Sequence, residues 1–340
     1  MADLLHVAVV GLVHDHIWGT LDHLCEDGRA VLVAAADDNE GLRRRVVEEY
    51  GARNAYAGVA DLLDRETVDA LVCGSENNRH AELVEAAAAR GLHIMVEKPM
   101  AATYAQARRM VEAAERGNIM LMINWPTAWN RGIVLALALV QEGRIGQPFY
   151  VKYHAGHSGP REIGCSESFW RWLYDAEKNG PGALMDYCCY GANLSCTLLG
   201  KPQSVTGAGG RFVKEYDIPL DNAILLLQYA RAVGVAEASW TQVGHPPHYE
   251  LVVMGSEGSI VTSPGGDAVT LVTREAPSGQ RVEASALPQG RHNEAAYFLS
   301  CILEGTPPAG MVGPQVCCDA QEVLEAGARA ITEQRVVPLE

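Results

Sequence analysis

The sequence has no C-x-x-C pair, no basic N-terminal region and no apolar run that approaches ~18 residues. The first absence weighs against a disulfide framework. Nine cysteines include the adjacent pairs Cys188-Cys189 and Cys317-Cys318, and neighbouring cysteines rarely meet bridge geometry. They read as reduced thiols, most of them small buried hydrophobes. The other two absences exclude a signal peptide and a spanning helix, so a cytoplasmic protein without a membrane partner is expected. Positive charge is also scarce. Lys and Arg number 27 against 42 Asp and Glu, for a net charge of −15, with the acids spread along the chain. Nucleic acid is therefore not an expected partner, and a small molecule is. Internal repeats and low-complexity linkers are lacking too.

What is present is an ordinary globular composition, 48% hydrophobic and 20% charged, over 340 residues. That length exceeds what one core usually organises, so two domains with a cleft between them are expected. Apolar strand-like runs at 4–10, 30–36, 68–74, 93–97 and 119–123 alternate with helical stretches at 16–27, 40–51, 80–91 and 103–117. This alternation predicts a parallel sheet covered on both faces. Thr103 and Gln106 form a capping-box pattern, and Gly91 and Gly117 stand where C-terminal caps belong. Beyond Asn124-Trp125-Pro126 the pattern changes. A helix is predicted at 130–142, then strand-like runs FYVKYHA, SVTGAGGRFV, AILLLQYA, AVGVAEASW, YELVVMG, GSIVTS and AVTLVTRE. Without long helices between most of them, these predict a mostly antiparallel sheet. Residues 165–200 and 291–305 read as helical or mixed, and 314–334 as a final helix that packs back on the first domain. The domains are placed at 1–125 and 126–340.

After the first strand comes Gly11-Leu12-Val13-His14-Asp15-His16, where a dinucleotide-binding turn has G-x-G-x-x-G. Only Gly11 is kept. Val13 and His16 fill the other two glycine positions, so the turn also fits an ordinary strand-to-helix connection. The second strand ends at Asp37-Asp38, near where an acid hydrogen-bonds the adenosine ribose of NAD and repels the extra phosphate of NADP. NAD is therefore favoured, although Arg43, Arg44 and Arg45 follow within two helical turns; they read equally as a solvated helix face. His14 and His16, two residues apart on a turn, do not converge easily on a metal, and the other pair, His154 and His157, lies on or just after a strand. No metal is expected.

Glu97-Lys98-Pro99 follows the fifth strand. With SENNRHAELVEAAAARGLHIMVEKPM, EGRIGQP and NGPGALMDYCCYGANLSCTLLG, the chain resembles the glucose-fructose oxidoreductase / inositol dehydrogenase (Gfo/Idh/MocA) family nearly end to end. Asn77 and His80 match that family's pattern, while Ser75 and Glu76 replace a Thr-Pro pair. The resemblance implies an α/β fold: a Rossmann domain followed by an α+β domain with a large, mostly antiparallel sheet. It implies that Gly11, Val13, His14, Asp37, Ser75, Glu76, Asn77, His80, Glu97 and Lys98 contact the cofactor. It implies that Lys98 binds or protonates the substrate oxygen. Asp186 falls on the family's aspartate, and Tyr190, four residues on, on the position usually held by a histidine. Such spacing puts both on one helix face, and a phenol beside an ammonium gains acidity. Cys188 and Asn193 depart from the family pattern. Trp125 and Arg171 belong to segments that would shape a substrate pocket.

The function so implied is hydride transfer between NAD(P), NAD before NADP, and a secondary alcohol or carbonyl of a sugar, cyclitol or related polyol, by a homodimer or homotetramer. Two alternatives stand beside it. One is a non-catalytic dinucleotide- or sugar-binding regulator, motivated by the altered glycine turn. The other is an NAD-dependent glycoside hydrolase that uses the same site.

Overall fold

A computed structural model describes residues 4–244 and 250–340. Among these, β1 (Leu5–Leu12), β2 (Ala30–Ala36), β3 (Asn54–Tyr56), β4 (Ala70–Gly74), β5 (His93–Glu97) and β6 (Leu121–Asn124) form an all-parallel sheet in the order β3-β2-β1-β4-β5-β6. The crossovers carry α1 (His16–Asp27), α2 (Glu40–Tyr50), α3 (Val59–Arg65), α4 (His80–Ala88) and α5 (Tyr104–Gly117). Val7, Ala8, Val9 and Val10 are wholly buried, as the unbroken apolar run of a strand covered on both faces requires. Strand order reverses between β1 and β4. In open α/β sheets this is where ligands enter, at the carboxyl ends of the strands.

Local chemistry sets the boundaries. Thr103 and Gln106 form the expected capping box at the start of α5. Gly91 is left-handed (φ 70°), as a chain reversal after α4 needs. Gly117 is a correction: it remains helical, and Asn118 (φ 49°) takes the left-handed position after α5. A Cβ on Gly117 would lie 2.8 Å from the carbonyl oxygen of Ala88, so this glycine lets two helices approach instead of ending one.

The second unit begins with α6 (Arg131–Gln141), N-capped by Asn130. Then follow β7 (Pro148–Gly156), α7 (Glu167–Leu173), a π-helical turn at Leu184–Cys188 and α8 (Cys189–Leu199). β8 (Ser204–Gly210), β9 (Asn222–Gln228), β10 (Val233–Ser239), β11 (Glu250–Gly255), β12 (Gly258–Thr262), β13 (Ala268–Thr273), β14 (Gln280–Glu283), α9 (Glu294–Glu304), α10 (Pro314–Glu333) and β15 (Val337–Pro338) complete it. The nine-stranded sheet has the order β14-β13-β12-β11-β7-β10-β9-β8-β15 and is antiparallel except for β7 against β10. Apolar alternation carries no direction, so that parallel pair was not foreseeable. The run 204–213 stops being strand at Gly210, where the Asp221 carboxylate gathers the backbone N–H groups of Phe212, Val213 and Lys214, each at 2.8 Å. Tyr249, expected to open a strand, lies outside the described residues. From α10, Gln321 accepts from the Ala101 N–H and Glu325 from that of Tyr104. Among the described residues no helix is long and apolar enough to cross a membrane.

Candidate active site

The site grows from the strand ends at the sheet reversal. β1 runs through Gly11, whose φ of +73° and whose missing Cβ, otherwise 2.6 Å from Ser75 Cβ, admit the chain leaving β4. The close helix-to-strand approach that a third motif glycine normally permits is made from the opposite side. A Cβ on Gly74 would sit 2.9 Å from Ile17, so Gly74 lets α1 approach the sheet while His16 holds the third motif position. Val13 is partly buried, and its carbonyl accepts from Trp172 Nε1 at 3.5 Å. Asp15 precedes α1 without capping it; its carboxylate accepts from the backbone N–H of Ser166, at 2.7 Å, and from the Ser166 hydroxyl. In the first turn of α1 the His16 N–H goes to His14 Nδ1 at 3.2 Å and the Ile17 N–H to the His14 carbonyl, while Asp15 caps none of the turn; uncapped N–H groups at a helix start suit an anion.

Asp37 stands at the end of β2, buried, with Oδ2 on the N–H of Leu12 at 2.7 Å and Oδ1 on that of Asn39 at 2.8 Å. Burial and the neighbouring Asp38 raise its pKa, against those two hydrogen bonds. Arg43 donates to the Asp37 carbonyl, while Arg44 and Arg45 pair with Glu40 and Glu49 on the helix surface.

Beyond β4, Ser75 is buried and Glu76 pairs with Lys178 at 3.1 Å. Asn77 donates to the side chain of Asn179 at 2.9 Å, leaving its own Oδ1 buried without a partner. His80 is wholly buried, between the carbonyls of Met100 (3.1 Å) and Ser75 (3.3 Å). Burial lowers its pKa, so the neutral ring donates to one of these two carbonyls and lies turned away from open space.

Lys98, one residue beyond β5, is 3% exposed. Its ammonium donates to Asp186 Oδ1 at 2.7 Å and to the Asp186 carbonyl at 3.3 Å, and lies 5.0 Å from the centre of the Tyr190 ring. Burial alone would lower the lysine pKa, but the Asp186 carboxylate outweighs it and holds the pKa well above the usual range. Burial likewise works to raise the Asp186 pKa, and the Lys98 charge carries it below its ordinary value. Asp186 belongs to the π-helical turn and Tyr190 to α8; such wide turns recur at functional sites. Trp125 is buried edge-on to Tyr190 at 5.7 Å and donates to Cys317 Sγ, so it buttresses the tyrosine. Arg171 is not brought here: it is exposed, paired with Glu167 and stacked on Trp170.

Three residues close to Lys98 and Asp186 were not among the expected site residues. Trp240 donates to Asp186 Oδ2 at 3.2 Å. The ring of Tyr187 lies 5.8 Å from the Lys98 ammonium. His157 stands edge-on to Tyr187 at 4.9 Å, its Nδ1 accepting from the Gly159 N–H at 2.8 Å. Burial pushes the His157 pKa down to about 4, opposed by Asp186 and assisted by Lys98. It is thus neutral near pH 7, with its proton on Nε2. His157 and Trp240 both follow strands of the second sheet, where no motif marks a site.

The premise that His14 and His16 do not converge is also corrected. Their ring centres are 4.5 Å apart, and His16 Nδ1 reaches Glu97 Oε2 at 3.2 Å. His14 is buried against Phe169 and Trp172, and burial lowers its pKa well below the usual value. Glu97 Oε1 accepts from Asn124 at 2.6 Å, and Asn124 in turn accepts from Trp129.

Residues 5–125 match the oxidoreductase family with an NAD-binding Rossmann fold, and residues 133–261 match the GFO/IDH/MocA C-terminal domain. The chain belongs to the GFO/IDH/MocA family. This family member is 25% identical to the myo-inositol 2-dehydrogenase of Thermotoga maritima over 321 residues, 92% of each chain. It is 29% identical to the NADP(+) D-xylose 1-dehydrogenase of Haloarcula marismortui over 72% of this chain and 67% of that one. A solved structure of levoglucosan dehydrogenase with NADH and levoglucosan shares the fold, with a TM-score of 0.85 over 99% of each chain at 20% identity. The GFO/IDH/MocA chain is accordingly an oxidoreductase with an NAD-binding Rossmann domain.

Proposed function

We propose that the protein is an NAD(H)-dependent dehydrogenase acting on a secondary alcohol or carbonyl of a sugar, cyclitol or related polyol. The observation that carries this reading is the buried Lys98–Asp186 pair, at the end of β5 and beside the turn of the dinucleotide fold. The relatives named for inositol and xylose oxidation support the substrate class. The unpartnered Oδ1 of Asn77 fits a cofactor hydroxyl or amide, with Gly11, Val13, His14, Ser75, Glu76 and Glu97 around the same crevice and His80 fixing its loop. Asp37 favours NAD, because a carboxylate at the end of β2 repels a 2′-phosphate.

Bound nicotinamide supplies the hydride acceptor or donor. The chain supplies the rest. An ammonium has three hydrogens; the one of Lys98 that Asp186 does not engage is available to the substrate oxygen and stabilises negative charge developing there. The Tyr190 hydroxyl holds or moves the alcohol proton, and Trp125 positions Tyr190 from behind. Asp186 keeps Lys98 protonated and in place.

The division at residues 125 and 126, a cytoplasmic location and a homo-oligomer belong to the same proposal. The oligomer would use the open face of the nine-stranded sheet, where Ile224, Leu226 and Met254 are exposed. The deciding experiment titrates nucleotide-stripped protein with NADH and NADPH, then screens cyclitols and aldoses for NAD reduction. Tighter NADH binding with turnover of a polyol is the expected result. NADH binding without turnover across the panel would favour a regulator.

A further inference from the structure

We infer that His14, His16 and Glu97 form a site for one divalent first-row transition metal ion, Zn2+ by its chemistry. One potential ligand atom from each residue lies within 4.8 Å of the others. Two ligands bound tetrahedrally to zinc stand about 3.4 Å apart. His16 Nδ1 and Glu97 Oε2, at 3.2 Å, already have that spacing. Two imidazoles and one carboxylate form a common zinc set that leaves a fourth position open. His16 is 41% exposed, so water reaches that position.

Outer contacts hold the three side chains in place. Glu97 is 3% exposed, and its second oxygen is tied to Asn124, which Trp129 orients in turn; such outer partners fix a ligating carboxylate. The nearby ammonium of Lys98 is neutralised by Asp186 at 2.7 Å. His14 is clamped against Phe169 and Trp172. His14 Nδ1 accepts from the His16 N–H at 3.2 Å, at the long end of the normal range, so the ring either gives up that bond to the ion or offers Nε2. The site shares His14 and Glu97 with the crevice assigned to the cofactor and is therefore a property of the nucleotide-free protein; read on the metal alone, its failure is distinguishable from failure of the dehydrogenase reading.

The test adds Co2+, then Zn2+, to full-length protein freed of nucleotide and chelated metal. One equivalent of Co2+ should give visible d–d bands without a thiolate charge-transfer band, and Zn2+ should displace it. His16→Ala, a change at an exposed side chain that should not affect folding, and Glu97→Gln should each weaken binding by at least ~10-fold. His154→Ala, at a histidine paired with Glu237 elsewhere, should leave it unchanged. Absence of the bands, bands unaltered in His16→Ala, or thiolate bands from the nine cysteines would each overturn the site.

Discussion

Lys98 Nζ and Asp186 Oδ1 are 2.7 Å apart, with side chains 3% and 7% exposed. Burying two charges is costly, and losing one of them leaves the other unpaired, at a cost of about 3–5 kcal/mol. Lys98→Met should therefore lower the melting temperature markedly while cutting turnover by roughly 10²–10³-fold or more, the scale of losing one transition-state donor. The double variant Lys98→Met/Asp186→Leu removes both charges and should regain stability without regaining turnover. Calorimetry and initial rates on the three proteins check this; recovery of turnover in the double variant would take Lys98 out of the chemistry.

The same pair sets no pH dependence near neutrality. The lowered Asp186 pKa adds stability above the unfolded carboxyl value, ~3.9, and that stability is lost in stronger acid. The raised Lys98 pKa adds stability below ~10.4, lost only as pH rises through its higher folded value. His157 behaves differently. It is held neutral, with its pKa lowered to about 4, whereas the unfolded chain takes up that proton near ~6.5. In this window the unfolded state binds more protons, so stability falls as pH drops from ~6.5 toward 4. His157→Asn, which keeps an acceptor for the Gly159 N–H, should flatten part of that slope in melting curves recorded across the window. His14, His80 and His93, lowered in the same direction, should retain slope of the same sign, and His154, raised by Glu237, should oppose it.

Much of the first sheet was legible because a parallel βαβ array writes itself as apolar runs of strand length between helical periods, and Lys98, Asp186 and Tyr190 could be placed by motif. The rest depended on contacts distant in sequence. Trp240 and His157 reach Asp186 and Tyr187 through the parallel pairing of β7 with β10, which no local pattern encodes. His14 and His16 meet Glu97 because β1 and β5 flank β4 and end together. Arg171 illustrates the converse: its neighbours Trp170 and Trp172 suggested a pocket, but the helix register turns its guanidinium to Glu167 and solvent.

The two glycine positions of the first turn should respond oppositely. Gly11→Ala places a methyl 2.6 Å from Ser75 at a φ of +73°. It should destabilise by several kcal/mol or prevent folding, since strain and overpacking act together. Val13→Gly removes a partly buried side chain where the motif has glycine and should cost only about 0.5–1 kcal/mol. If the valine side chain limits backbone approach to a pyrophosphate, Val13→Gly should tighten NADH binding several-fold in a fluorescence titration. Unchanged or weaker binding would show that the turn has adapted to Val13.

The open face of the second sheet offers the last test. Along β9, Ala223, Leu225 and Leu227 point into the core, while Ile224 and Leu226 are 46% and 44% exposed. Register carries the outer row from Leu226 to Val235, Lys152 and Val252. A polar strand face would meet water here; two large aliphatic side chains instead lose stabilisation of about 25 cal/mol for each Å² of apolar surface left wet. Burial against a second copy regains it. Leu226→Asp introduces a like charge on both sides of such a self-complementary interface, yet its side chain faces away from the core. Light scattering should show the wild type as a dimer or tetramer and Leu226→Asp as a smaller species with an unchanged circular dichroism spectrum. An unaltered assembly would move the interface to another face.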